Sequence, residues 1–296
     1  MSQPIKFGVK NISAKLAALP MILVALLGFI ACSLWSVFYS FTPSKTLPKT
    51  EFVGLAQYER LFSTPRWLLS VENIVVFGVC SLVLMLLVGF LLAVALDQKI
   101  RFENAFRTFF LYPFALSFIV TGVVWQWILN PELGLQQLIR NIGFTAFELN
   151  PLASQEYAIY ALIIAGVWQG AGFVMVLMLA GMRGINQEIW KAARVDGIPT
   201  WRTYLFVVLP MMRGVIITAL VIVAAGIVKS YDLVIALTNG GPGLATELPA
   251  KYVYDHMFGR ANLGQALAAA TIMLSTVLII LIPWAYLEYR VKRDAS

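Results

Sequence analysis

Apolar residues in this chain run on without the regular polar interruptions that mark the solvent face of a soluble helix. Uncharged stretches cover 16–44, 73–96, 108–131, 157–182, 214–228 and 261–287, and the charged residues crowd into the segments between them. A hydrocarbon core of roughly 30 Å takes about 20 apolar residues in a helix, which all but the fifth stretch exceed. That fifth stretch is expected to begin near residue 211 and to continue past Lys229 and Asp232, because Leu233 to Leu237 is apolar again. The pattern predicts an all-α, polytopic membrane protein with six transmembrane helices, over about 16–41, 73–96, 108–130, 157–182, 211–237 and 262–287. A single membrane domain, 1–296, accounts for the chain, since the longest loops of about 30 residues leave no room for a second folded unit.

Composition agrees with the pattern. Apolar residues make up 60% and charged residues 12% of the chain, against about 45–50% and about 25% in soluble domains. Lys6, Lys10 and Lys15 precede the first apolar run, but that run exceeds the roughly 7–15 residues of a signal-peptide core and reads as a retained span. Cys32 and Cys80 both fall inside apolar runs, with no metal-ligand spacing between them.

The net charge of +7 is a matter of topology. The N-terminus, 97–107, 183–213 and the tail from Glu288 hold 3, 3, 5 and 3 Lys/Arg, and the three remaining loops hold 8 in a greater total length. By the positive-inside rule both termini and the loop 183–213 are cytoplasmic. The excess also attracts anionic lipid and calls for no nucleic acid. Two outer segments, Gln57 to Phe62 and the Leu135, Leu138, Ile139, Ile142 series, have the spacing of short interfacial helices.

The loop 183–213 is too apolar for a solvated connection. Asn186 can cap a helix with Glu188 in its first turn and Trp190, Ala193 and Gly197 along one side. Gly197 and Pro199 end it, and Thr200 can cap a second helix with Trp201, Leu205 and Val208 on one face. That helix stops near Pro210 or enters the fifth span through a kink. Glu188, Lys191, Arg194 and Arg202 offer charge beside Ile189, Trp190, Trp201 and Phe206, the mixture expected of a docking surface.

Lys191-Ala192-Ala193-Arg194-Val195-Asp196-Gly197, followed by Leu209-Pro210, resembles the EAA loop of binding-protein-dependent ABC importer permeases. The resemblance implies a type I importer permease fold in which Glu188, Lys191, Ala192, Ala193, Asp196, Gly197, Leu209 and Pro210 form a coupling helix-turn-helix, seated in a cleft of a cytoplasmic ATPase subunit. Lys191 stands where the family usually has Glu, which implies an asymmetric pair of unlike permeases. Tyr231-Asp232 through Asn239-Gly240-Gly241-Pro242, then Thr246, Leu248-Pro249, Tyr252 and Tyr254, resembles carbohydrate importers of the maltose-permease type, as does Gly264 to Ala270. It implies that Asn239, Gly240, Gly241 and Pro242 lie near the docking surface of a periplasmic binding protein.

No Gly-x-x-x-x-Gly-Lys-Ser/Thr phosphate loop occurs, so the chain is expected to be no enzyme, with no cofactor or metal of its own and with ATP and Mg held by a partner ATPase dimer. The span interiors lack Asp, Glu, Lys and His, the usual elements of proton or sodium coupling. Sugars are held by hydrogen bonds and by stacking on aromatic faces, and Trp168, Tyr231 and Asp232 belong to segments that mix such groups. The resemblance adds Phe114, Ser117, Gln169, Gly170 and Phe173 to that path. The expectation is therefore a multi-pass permease of the bacterial inner membrane, paired with a second permease and importing a sugar. A glycerol phosphate or sugar acid importer is the near alternative, and a passive channel or membrane-embedded enzyme the distant one.

Overall fold

The computed structural model describes residues 12–98 and 100–294, and every regular element among them is helical. Lys6, Lys10 and Lys99, used above to orient the chain, lie outside the described residues, as do the side chains of Lys15 and of the basic tail. In chain order the helices are α1 (Ala18–Tyr39), α2 (Ala56–Phe62), α3 (Pro65–Asp97), α4 (Glu103–Ala115), α5 (Phe118–Ile128), α6 (Leu135–Asn141) and α7 (Ala158–Arg183). They are followed by α8 (Gln187–Val195), α9 (Thr200–Met211), α10 (Arg213–Val228), α11 (Asp232–Leu237), α12 (Pro249–Tyr254) and α13 (Leu263–Asp294). The short outer helices expected at 57–62 and near 135 are α2 and α6.

Four helices, α1, α3, α7 and the Leu263–Tyr286 part of α13, are each long and apolar enough to cross a membrane, and two bent pairs bring the number to as many as six. The third apolar run, expected as one helix over 108–130, is instead α4 and α5 at 101° to one another. Pro113 lacks the N–H that would continue the ladder, and Leu116 and Ser117 are extended, with ψ of 149° and 150°. Ser117 Oγ then accepts from the Val120 N–H at 3.2 Å and starts α5 afresh.

The fifth span also departs from expectation. It bends by 73° at Met212 between α9 and α10, the kink that Pro210 foreshadowed. It does not continue through 229–237: α10 ends at Val228, and α11 is a separate short helix beyond Lys229 to Tyr231. Lys229 and Asp232, the two charged residues of that segment, are both exposed and join none of the ion pairs among the described residues.

Lipid offers no hydrophobic force between helices, so close fit decides the packing. α7 is the hub, with 61% of its most apolar window buried against 28% for α3 and none for α1. Met85, Ala93 and Leu96 of α3 meet Val174, Met175, Met178, Leu179 and Met182 of α7, joined by Tyr204, Val208, Met212 and Ala219. A Cβ on Gly89 would fall 2.6 Å from Val174, so glycine sets the distance between α3 and α7. Gly122 does the same for α5 and α11, where a Cβ would lie 2.5 Å from that of Ala236. At the outer end Leu61, Trp67, Tyr252, Ala268 and Ala269 form a smaller cluster. The α13 N-terminus donates to the Lys45 and Ser44 carbonyls, at 3.2 and 2.7 Å.

Candidate coupling surface and transport path

In the loop 183–213, α8 begins where Asn186 Oδ1 accepts from the Glu188 N–H at 3.0 Å and ends at Gly197, whose φ of +68° lies in the left-handed region that glycine enters at little cost. Nothing lies within 4 Å of a Cβ placed on Gly197, so the requirement there is conformational. The inward face carries Trp190, edge-on to Tyr204 at 5.2 Å, and the buried Ala193. Tyr204 donates to Asp97 Oδ2 at 2.8 Å and accepts from Gln98 Nε2 at 3.0 Å, while Arg183 pairs with Glu103 at 2.7 Å. These bonds fasten the loop to the inner ends of α3, α4 and α7. A polar hollow of about 960 Å³ lies between them, walled by Asp97, Arg183, Lys191, Arg194 and Tyr204 among others.

The opposite face of the loop is open. Glu188, Ala192, Val195 and Asp196 are exposed, as are Lys191 at the rim of the hollow and Trp201 and Phe206 on α9. The expected face of Trp201, Leu205 and Val208 is corrected here: Val208 is buried with Thr203 and Tyr204, and Trp201 and Leu205 point outward. The cause is a run of π turns over Thr203–Val208, which shifts the register from 3.6 residues per turn. Leu209 and Pro210 occupy the last turn before the Met212 bend and so form the elbow between loop and span.

Of the residues expected on the path, Phe114, Ser117, Gln169 and Phe173 gather at the α4–α5 break. Phe114 stacks on Phe173 at 4.8 Å with planes 15° apart. Gln169 donates Nε2 to the Leu116 carbonyl at 2.8 Å, satisfying an acceptor released where the helix breaks. Its Oε1 is buried without a partner, as are Thr121 Oγ1 and Trp125 Nε1 on α5. Trp168 meets Trp125 edge-on at 6.1 Å. Gly170 turns the other way, where its Cβ would lie 2.8 Å from Met85 Sδ, so it serves α3–α7 packing. Tyr231 is placed elsewhere too, against Tyr254 of the outer segment at 5.0 Å, with Asp232 exposed beside it.

In the outer loop Asn239 and Gly240 have φ of +50° and +84°, and the Gly241-Pro242 bond is cis. Thr246 holds the turn, sharing a 2.6 Å hydrogen bond with Thr238 and donating to the Gly241 carbonyl at 2.9 Å. A buried ionic cluster underneath escaped the sequence reading. Arg66 pairs with Glu247 at 2.6 Å and with Asp255, and Lys251 pairs with Asp255 at 2.8 Å. Burial works to raise the Asp255 pKa, but hydrogen bonds from Lys251 and Arg66 prevail and hold it below the usual carboxylate range. His256 stacks on Tyr252 at 3.9 Å, and burial pushes its pKa down despite a bond to the Tyr252 carbonyl, with Arg260 and Arg66 adding to the fall. Its members are spread from residue 66 to 256, and only Lys251 and Asp255, four apart, offered a local signal.

This chain is 35% identical over 272 residues to a probable ABC transporter permease protein of Pyrococcus horikoshii, covering 91% of this chain and 93% of that one. It is 31% identical to the xylose/arabinose import permease protein XacH of Haloferax volcanii, over 85% of this chain and 80% of the relative. Its fold superposes on a chain of a bacterial ABC transporter involved in the import of the acidic polysaccharide alginate, with TM-score 0.82, 21% identity and coverage of 95% and 96%. A family model, the binding-protein-dependent transport system inner membrane component, matches residues 85–293, from the middle of α3 through the loop and the bent spans to the end of α13, and the chain belongs to that family.

Proposed function

We propose that this chain is the permease subunit of an ATP-driven importer in a bacterial inner membrane, passing a sugar delivered by a periplasmic binding protein. A separate pair of ATPase subunits holds ATP and its magnesium, and a second, unlike permease completes the pathway. The observation that carries the reading is the two-sided build of the loop. One side is fastened through Trp190, Tyr204 and Arg183 to the ends of α3, α4 and α7, and the other leaves Val195 86% exposed with Lys191 and Ala192 beside it.

A push on α8 from a cytoplasmic partner therefore reaches the hub helix α7 directly, and reaches α10 through the Met212 bend. On α7 the same displacement moves Gln169 and Phe173 against Leu116 and Phe114 at the broken span. Force transmission of this kind needs two arrangements of the bundle, and the two bent pairs are the joints at which the chain can fold differently. Sugar as cargo is supported by the xylose/arabinose relative and by aromatic faces beside unpaired polar groups at the break.

The test is uptake of labelled sugars into proteoliposomes holding the assembly purified from the native host. ATP-dependent uptake in wild type, and at least a tenfold loss in Gly197→Val with normal insertion, is the expected result. Uptake that persists in Gly197→Val without any copurifying ATPase sinks the importer reading. An amino acid in place of a sugar as the transported solute sinks the carbohydrate part alone.

A further inference from the structure

Glu188, Lys191, Ala192 and Val195 lie at positions i, i+3, i+4 and i+7 of α8 and form one exposed stripe, with Lys191 at its edge, where it also borders the hollow. Lys191 is one turn from Val195, an apolar side chain left 86% in water. A partner that covers Val195 also strips water from the Lys191 ammonium. A desolvated ammonium needs an opposite charge at ion-pair distance, or the contact is lost.

No ion pair among the described residues supplies that charge. Among the described residues Lys191 forms no ion pair, and neither do its basic neighbours Arg194 and Arg202. The exposed charges of 186–213 are Glu188 and Asp196 against Lys191, Arg194, Arg202 and Arg213, a net of +2 from four positive less two negative. Where the resemblance leads one to expect a glutamate, the surface presents a positive charge set among Ala192 and Val195.

We infer that the cleft receiving α8 presents a carboxylate to Lys191, and that the ATPase subunit supplies it. This rests on the importer reading and adds the chemistry of the partner: an acidic groove with an apolar floor for Val195. The receiving site for this permease then carries negative charge at the point where Lys191 docks.

The assembly, pulled from native membranes on a tagged permease, is treated with a water-soluble carbodiimide, which joins an amine to a carboxylate in contact. Mass spectrometry of Lys191 peptides is expected to show a crosslink to one Asp or Glu of the copurifying ATP-hydrolysing subunit. Lys191→Glu is expected to weaken that subunit's binding at least tenfold, with normal permease yield, and changing the crosslinked acid to lysine is expected to restore it. The inference is overturned, with the importer reading left standing, if the ATPase copurifies equally with Lys191→Glu and wild type. A Lys191 crosslink found only to Glu188 or to the second permease overturns it in the same way. Failure of any ATP-hydrolysing subunit to copurify with wild type sinks both.

Discussion

Gly197 and Gln169 illustrate two ways in which one residue sets the machine. At φ +68° with open space around it, Gly197 is selected by backbone conformation, and an L side chain there costs about 1–2 kcal/mol. Gly197→Asn is expected to retain most ATP-dependent uptake and Gly197→Val to lose it, since Asn tolerates the left-handed region and a β-branched residue does not. Equal losses in the two variants would mean that the site answers to size instead. Gln169 is selected by a carbonyl. Its amide meets the Leu116 oxygen at 2.8 Å, and Gln169→Leu leaves that acceptor unpaired at a cost of about 1 kcal/mol. Thermal unfolding in detergent is expected to show the fall, and an unchanged midpoint would mean that Leu116 finds another donor.

Among the elements, the broken span is the one that composition hid. An uncharged run is compatible with a straight helix or a bent one, because lipid tests only for the absence of exposed polar backbone. What permits the break here is a set of partners: Ser117 caps α5, Gln169 serves the Leu116 carbonyl, and Gly122 lets α11 close on α5. Ser117→Ala is expected to cost about 1 kcal/mol as a lost cap, readable by thermal unfolding. Gly122→Leu is expected to be far worse, because its Cβ would meet Ala236 at 2.5 Å and the Leu237 backbone at 3.0 Å. Well-folded Gly122→Leu protein at wild-type yield would show that α11 moves freely from α5.

For the whole molecule, the outer ionic cluster ties the start of α3 to the loop and helix that precede α13. Both titrating groups have folded pKa values below their unfolded ones, so each contributes stability at high pH and loses it as pH falls. For His256 the loss sets in below the ordinary value of 6.5, as the unfolded imidazole takes up a proton that the buried one resists. For Asp255 it follows below 3.8, as the carboxylate paired with Lys251 and Arg66 is protonated. Limited proteolysis of 239–262 is expected to accelerate between pH 7.5 and about 5.5, and His256→Gln is expected to flatten that dependence. A cleavage rate independent of pH in wild type would contradict the burial of His256. Arg66→Met leaves Glu247, 1% exposed, without its counter-charge, a change expected to cost about 3–5 kcal/mol.

By itself the sequence determined the apolar runs and the one loop too rich in aromatic and charged groups to be a plain connection, and it predicted an orientation. It could do so because the bilayer acts on each run separately: a charge in hydrocarbon is penalised wherever it occurs, and basic residues are held on one side. Helix α8 was legible for a similar reason, since the Asn186 cap and the Gly197 stop act over only a few residues. Where Val208 turns, how the third run bends, that Gly170 faces Met85 and that Tyr231 joins Tyr254 were left to the tertiary structure. Each depends on what another helix offers at that depth, and so does the ionic cluster of Arg66 with Glu247 and Asp255, whose members meet across more than half the chain. In a lipid-solvated bundle, shape and hydrogen-bond satisfaction between distant segments decide these arrangements, and no local pattern encodes them.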